Sequence, residues 1–523
     1  METPKDVDLT PAPTILVDSI TEKEKSIISE PEITALANAK PLRKYALLAV
    51  FCLGQFLETM NNSAMFPALP AISHDVGLTE SDSVWVLAAY QATFASFLLI
   101  SGRISDVYSP KPVFILGTAF FGLTSLGCGF INDKIPLLVL RALQGIGASL
   151  TIPSSLNLIV QMFPDSREQS RAIALFGATG ATGNVLGTIV GALFAEYTSW
   201  KWIFWLIAII AVPISITCIV LIPKTARNKE NEKSTFDFVG VFLLTVGMIL
   251  FIYALTTGSV AGWKEAGVLT PLFVSVALVI AFFLWEARID ENNAALPPNL
   301  WYYKNFAVFF AVALLPYFWW YQIYLTFSAY WQDHLHWSSI IAGVKFLPLG
   351  VVAGPLMVNA TRIARIGQPK WMILGGLTAT FIATTLLPFS DRLHDRYWPL
   401  VFPAFIIGTI GTSIAFVLTS INIFHTTPAR YAGTVGAVFN SALQLGSAIG
   451  TSATTSIQAS VDMQNVGKEG LTGFEGRSAA LWFLLAWVGL EMIGVAVFFQ
   501  RSAESPLDEE AGEEEAASKA MVH

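Results

Sequence analysis

Long apolar stretches and short polar clusters alternate fourteen times between Tyr45 and Gln500. A helix rises about 1.5 Å per residue, so roughly 20 mostly apolar residues cross the ~30 Å hydrocarbon layer of a bilayer. On that length the spans fall at 45–67, 84–103, 112–131, 136–160, 171–194, 201–222, 237–257, 267–286, 305–328, 338–360, 370–389, 397–421, 431–457 and 478–500. Several contain Gly or Pro, which lipid-embedded helices tolerate because their neighbours re-satisfy the freed backbone groups. The pattern predicts an all-α membrane protein with 14 transmembrane helices.

Composition agrees. Of 523 residues, 54% are hydrophobic and 13% charged, against roughly 25% charged in a soluble protein. Residues 1–44 are polar and mixed in charge, and read as a disordered cytosolic tail. They lack the basic start, apolar run and small-residue cleavage site of a secretory leader, so span one is expected to act as an uncleaved membrane signal. Residues 501–523 hold Glu509, Glu510, Glu513, Glu514 and Glu515 and read as a solvated, acidic cytosolic tail. The net charge of −7 comes largely from these tails and says little about substrate. Cys52, Cys128 and Cys218 are scattered through apolar spans, which suggests packing rather than disulfides or a metal. Lys and Arg gather in alternate loops, at Arg43, Lys44, Arg103, Lys111, Arg167, Arg171, Arg362 and Lys370, while the first opposite loop has none. Positive-inside bias then puts both termini in the cytosol. The membrane is expected to be the plasma membrane, with the vacuolar membrane as the alternative.

The fifth and thirteenth spans share a spacing. Arg171, Gly177, Gly187 and Gly191 recur as Arg430, Gly436, Gly446 and Gly450 at one constant offset. Upstream, Ser154-Ser155-Leu156-Asn157 resembles Thr419-Ser420-Ile421-Asn422. This fits two six-helix halves, residues 45–222 and 305–500, with two inserted helices in residues 237–286. Repeated halves are common in secondary transporters, whose site lies near the midplane between them. The alternative is chance similarity between helices rich in small residues.

Residues 102–111, Gly-Arg-Ile-Ser-Asp-Val-Tyr-Ser-Pro-Lys, lie between spans two and three. They resemble the G-x-L-x-D-R-x-G-R-K signature of the major facilitator superfamily. Gly102, Asp106 and Lys111 match, while Val107, Ser109 and Pro110 replace an Arg, a Gly and a second Arg. Asp106 then braces a helix end in one conformational state, or is a polar turn beside topology-setting cations. Residues 141–148, Arg-Ala-Leu-Gln-Gly-Ile-Gly-Ala, match the R-x-x-Q-G-x-G-x motif of proton-coupled facilitators. Residues 57–70 are similar to the first-span motif L-D-x-T-x-x-N-x-A-L-P of 14-spanner drug:proton antiporters, with Glu58 in place of Asp and the closing Ala68-Leu69-Pro70 two residues late. Gly183-Asn184-Val185-Leu186-Gly187 stands where antiporters carry G-P-x-x-G-G, with Asn184 for the proline and Thr188 for the last glycine. Ser199-Trp200-Lys201-Trp202-Ile203-Phe204 is close to their S-W-R-W-I-F. From Tyr45 to Gln500 the chain thus resembles the 14-spanner drug:proton antiporter family, most of all its fungal aminotriazole-resistance branch of borate and drug exporters. The resemblance implies a major facilitator fold of two six-helix halves plus two central linker helices. It also implies a monomer that exports small molecules, whether drugs, toxic compounds or small solutes such as borate, in exchange for protons. It implies no cofactor and no nucleic acid.

Depth arithmetic singles out two charges. Glu58 lies roughly 20 Å into span one from the cytosolic side, and Arg141 roughly 8 Å into span four from the other, so both sit about 10 Å below the outer face. At equal depth they can pair, each making the other tolerable in low dielectric. Burial and a neighbouring guanidinium act in opposite senses on a carboxyl. Alternating access changes both, so Glu58 is the expected proton carrier; a static structural pair is the alternative. Gln55 lies one turn from Glu58, Gln144 one turn from Arg141, and Gln91 reaches similar depth in span two. With Asn62 they are candidate cavity residues, or else interhelical hydrogen-bonding groups. Tyr317, Tyr321 and Tyr324 form a stripe in span nine that faces a cavity and stacks on organic or cationic solutes, or simply packs. Lys345 has a depth that suits a substrate site in the second half, or snorkels to the interface. Glu491, mid-span, has no assigned role.

The leading function is therefore a proton-coupled exporter, with an importer left open by the altered 183–187 motif. A polytopic membrane enzyme is the reading from another class. The histidines are scattered, and only His334, His336 and Asp333 come close enough for a weak surface metal site or an ordinary polar loop. No G-x-x-x-x-G-K-[ST] phosphate loop appears, which argues against an ATP-driven pump.

Overall fold

The computed structural model describes residues 36–223, 237–289, 294, 296–390, 397–428, 431–465 and 473–500. The proposed terminal tails lie almost wholly outside them, as do Arg430 and the side chain of Asp106. Every predicted span is helical. The helices are α1 (Pro41–Ser63), α2 (Met65–Val76), α3 (Glu80–Val107), α4 (Pro110–Phe130), α5 (Lys134–Met162), α6 (Ser166–Tyr197) and α7 (Lys201–Leu221). Then come α8 (Phe238–Ala261) and α9 (Ala266–Glu286). The rest are α10 (Phe306–Ala313), α11 (Leu315–Ala329), α12 (Ser339–Lys345), α13 (Leu347–Val358), α14 (Ala360–Ala364), α15 (Pro369–Leu386), α16 (Phe402–His425), α17 (Ala432–Asn465) and α18 (Glu475–Phe498).

Twelve helical segments among the described residues are long and apolar enough to cross a membrane, which makes the chain a multi-pass membrane protein. The first and thirteenth expected spans, α1 and α17, are helices but fall outside that set. Their polarity is the reason. Gln55, Glu58, Asn61 and Asn62 are buried on α1, as are Ser441, Gln444, Ser447 and Thr454 on α17. A helix enclosed by other helices needs less apolar surface than one facing lipid.

Local sequence sets the breaks. Pro67 and Pro70 remove donors just past Ser63, so span one continues as the separate helix α2 to Val76, further than the apolar run suggested. Gly77 stops α2 at φ 69°, where a β-carbon would be strained. Thr79 and Asp82 then form a reciprocal capping box that opens α3. Pro316 and Pro348 coincide with the α10–α11 and α12–α13 junctions. A π-helical turn, Tyr330–His334, ends the span containing α11.

Packing repeats along the chain. Helix α1 packs on α6, α3 and α4 on α5, and α4 on α7. In the same order α11 packs on α17, α13 and α15 on α16, and α15 on α18. Gly187 and Gly191 bring α6 against Met60 and Ala64, and Gly446 and Gly450 bring α17 against Leu314 and Phe318. A β-carbon at Gly446 would collide with the Leu314 carbonyl. The helix ends repeat too. Lys111 Nζ donates to the Ile219 and Ile222 carbonyls at the end of α7 (3.1 and 2.5 Å), and Lys370 Nζ donates to those of Ala496 and Phe499 at the end of α18 (2.8 and 3.1 Å). Both cations satisfy terminal carbonyls and complement the helix dipole. Arg43 Nε also donates to Leu221 O (2.7 Å), while Asn305 and Gln500 exchange two hydrogen bonds of 2.9 and 2.8 Å. The two sets of helices meet at α3–α17 and α6–α13, and α8, paired with α9, lies on both α3 and α17.

Candidate functional site

Arg141 is fully enclosed. Its Nε donates to Val86 O of α3 (2.9 Å), and one terminal nitrogen donates to Gln144 Oε1 (2.7 Å) and Asn61 Oδ1 (3.3 Å). Gln144 also donates to Asn61 Oδ1 (3.2 Å). The guanidinium lies 4.6 Å from the Tyr90 ring centre, and the Tyr90 hydroxyl donates to Glu58 Oε1 at 3.0 Å. Glu58 is only 4% exposed. The expected direct pair is therefore corrected: no ion pair joins Glu58 to Arg141 among the described residues. Tyr90 stands between them, its rim on the acid and its face on the cation. Three guanidinium donors are taken by α1, α3 and α5, which leaves one terminal nitrogen buried without a partner among the described residues.

Asn61 and Tyr90 were not among the expected site residues. Asn61 lies one turn from Glu58, and Val86 O shows that this part of α3 stands level with Arg141. Tyr90 precedes Gln91, whose depth the sequence already matches to this level, but depth alone does not mark an aromatic residue.

Two cavities flank this network. The smaller, about 80 Å³, is lined by Gln55, Asn184, Tyr317, Trp320, Tyr324 and Asn440, among others. The larger, about 940 Å³, includes Gln91, Tyr321, Thr256 of α8 and Ser447 of α17 in its walls. It opens on the face that carries the first loop, where Asp333, His334, Asp462 and Arg477 rim it. Arg477 donates to Gly473 O (2.8 Å) and lies 3.1 Å from His334 Nε2.

The predicted tyrosine stripe is thus divided between the cavities. Asn62 Nδ2 donates to the Tyr321 hydroxyl, linking α1 to α11, while Phe66 stacks on Tyr324 at 5.7 Å. These contacts partition the two spaces. Gln55 Oε1, Asn62 Oδ1 and Asn184 Oδ1 are buried without hydrogen-bond partners among the described residues. Lys345 lines neither cavity, contrary to its expected place in the substrate site. Its Nζ sits 3.9, 4.8 and 5.7 Å from the ring centres of Tyr397, Trp398 and Trp337. Depth fixed its height but not the side of the helix it occupies. Glu491 accepts from Trp487 Nε1 (2.8 Å) on the same helix, away from both cavities.

The loop-motif residues make helix contacts. A β-carbon at Gly102 would meet Ala437 and the Gly433 carbonyl (2.7 and 3.0 Å), so Gly102 sets the α3–α17 approach. Lys111 is the α7 cap described above. Gly183 and Gly187 press α6 onto Phe56, Thr59, Met60 and Ser63 of α1. Among the described residues no cluster of three His, Cys, Asp or Glu could hold a metal ion.

Residues 51–451 match the sequence model of the Major Facilitator Superfamily. The chain is 30% identical over 435 residues to the puromycin resistance protein of Streptomyces alboniger, covering 82% of this chain and 84% of that one. It is 29% identical over 448 residues to a major facilitator superfamily multidrug transporter of Aspergillus fumigatus, with 85% of each covered. It is 27% identical over 467 residues to the cephamycin export protein of Amycolatopsis lactamdurans, covering 86% and 89%.

Proposed function

From the premise that the chain belongs to the Major Facilitator Superfamily, we propose that it is a 14-helix secondary transporter that exports small organic molecules in exchange for protons. Helices α1 and α17 complete the fourteen spans. The repeated helix pairings, glycine approaches and lysine caps support two six-helix halves, residues 45–222 and 305–500, with α8 and α9 inserted between them. Both termini face the cytosol, so the larger cavity opens outward. Relatives named for puromycin resistance, multidrug transport and cephamycin export favour export over import.

The observation that carries the coupling is the Glu58–Tyr90–Arg141 chain. Glu58 lies on α1 between Gln55, which borders the smaller cavity, and Asn62, which bonds Tyr321 of the larger one. A carboxyl there, held by a single hydroxyl rather than a salt bridge, can gain and lose a proton as the helices around it move. Arg141 keeps the surroundings polar and anchors Asn61 beside it. Substrate and proton then compete across the Asn62–Tyr321 partition as the two halves rock.

The test is transport into sealed vesicles holding the purified protein under an imposed proton gradient, with a panel of solutes. Gradient-driven accumulation is expected, with proton release in exchange. Glu58→Gln should abolish the gradient-driven component while leaving equilibrium exchange of solute. Wild-type gradient-driven rates in that variant would remove Glu58 as carrier, and co-movement of solute with protons would replace export by import.

A further inference from the structure

The larger cavity has unlike walls. Phe66, Leu69, Leu87 and Leu325 make one side apolar. On the other, α17 presents Ser447, Thr451, Thr455 and Gln458, three or four residues apart and so on one face of the helix. Ser447 is 1% exposed, lines the cavity, and its hydroxyl has no partner among the described residues. Thr451 donates back to Ser447 O (2.7 Å), which leaves its lone pairs free to accept. Buried hydroxyls of this kind are costly to leave unmatched, so the ladder suits a partner that enters and leaves. The ionisable side chains of the lining, Asp333, His334, Asp462, Glu475 and Arg477, all stand within a turn of a helix end, and Glu58 is not part of the lining. The volume lies within the roughly 300–1,000 Å³ usual for drug-sized ligands.

The inserted helix completes the space. Ile252, Thr256 and Ser259 of α8 line it. Tyr253 packs on Trp85 of α3 (5.5 Å between ring centres), and Trp263, just past the helix, donates to Ser456 of α17 (3.0 Å). Helix α8 therefore closes the α3–α17 seam beside the cavity.

We propose that this cavity is a binding site for an uncharged, drug-sized amphipathic molecule. Its apolar face lies on α2, α3 and α11, its hydrogen-bonding edge is read by the α17 ladder, and α8 forms a wall of the site. The inference rests on the transport reading and names the class of solute it serves.

The probe is radiolabelled chloramphenicol, an uncharged aromatic diol amide, binding to the full-length protein in lipid nanodiscs with no gradient. Saturable binding is expected. Each lost hydrogen bond is worth roughly 3- to 10-fold in affinity, so Ser447→Ala combined with the nearly isosteric Thr451→Val should weaken binding about 10-fold or more. Thr256→Trp should abolish binding, while Val274→Trp on α9 leaves it unchanged. As a second readout, alkylation of Thr256→Cys by N-ethylmaleimide should slow at least 10-fold under saturating chloramphenicol. Unchanged affinity in the ladder variant together with unprotected Thr256→Cys overturns the site. Displacement by tetraphenylphosphonium at equal affinity overturns the uncharged class, as does absence of chloramphenicol binding to protein that still drives gradient-coupled transport. Binding with the expected variant pattern but no gradient-driven transport supports this site and removes the transport reading instead.

Discussion

Arg141→Lys tests whether the guanidinium fork, rather than a positive charge alone, holds the core of the first helices together. The side chain is wholly buried and makes three hydrogen bonds at 2.7–3.3 Å to three different elements, besides facing the Tyr90 ring at 4.6 Å. A lysine has one nitrogen on a shorter reach and cannot span Val86 on α3, Asn61 on α1 and Gln144 on α5 together. Keeping one bond and losing two charge-assisted ones, at about 1.5–3 kcal/mol each, costs roughly 3–6 kcal/mol. That is a large share of a typical folding free energy of about 5–15 kcal/mol. Arg141→Met removes all three bonds but also the buried charge, so it should be no worse than lysine, because a half-satisfied buried ion is costlier than none. The assay is thermal unfolding of the purified protein followed by tryptophan fluorescence. A lysine variant that unfolds at the wild-type temperature, or a methionine variant clearly less stable than the lysine one, would refute the reasoning.

Four further outcomes follow from the geometry. Tyr321→Phe removes the hydroxyl to which Asn62 donates and should weaken the partition by about 1–3 kcal/mol, seen as faster modification of Asn184→Cys by an impermeant thiol reagent applied outside cells; an unchanged rate counts against the partition. Gly446→Ala should lower the yield of folded protein sharply, whereas Gly354→Ala, with open space around it, should not; equal yields would mean that α11 and α17 do not approach as closely as described. Lys370→Met should lower the unfolding temperature modestly, by the loss of two carbonyl partners worth about 1 kcal/mol together at this part-exposed site. Lys345→Met should leave solute affinity unchanged and cost about 0.5–1 kcal/mol of stability from the lost aromatic contacts; a fall in affinity would put the lysine back in the substrate path.

The sequence was informative where a single physical requirement dominates. Apolar length located every long helix, including α1 and α17, whose polar inner faces keep them outside a purely apolar criterion. Depth arithmetic put Glu58 and Arg141 level because rise per residue is constant. It did not find Tyr90, since aromatic residues are common in such helices and height alone does not single one out. It left two readings of Lys345 open for a related reason, since height says nothing of azimuth, and the aromatic rings around its Nζ fit the interfacial one. The hydroxyls of α17 passed unnoticed because serines and threonines in lipid-embedded helices commonly bond their own backbone, as Thr451 does, and carry no mark of the cavity they also face. The share of α8 in that cavity was equally hidden, because a helix read only as an insertion gives no hint of the seam it covers.

The paired fastenings at Arg43 with Leu221, and at Asn305 with Gln500, join the start of α1 to the end of α7 and the approach to α10 to the end of α18. Each of these two runs of helices is in effect a closed ring, locked by its own clasp. A gene cut between the codons for Pro223 and Asp237 should therefore give two polypeptides that, made together in one cell, find each other and work as one.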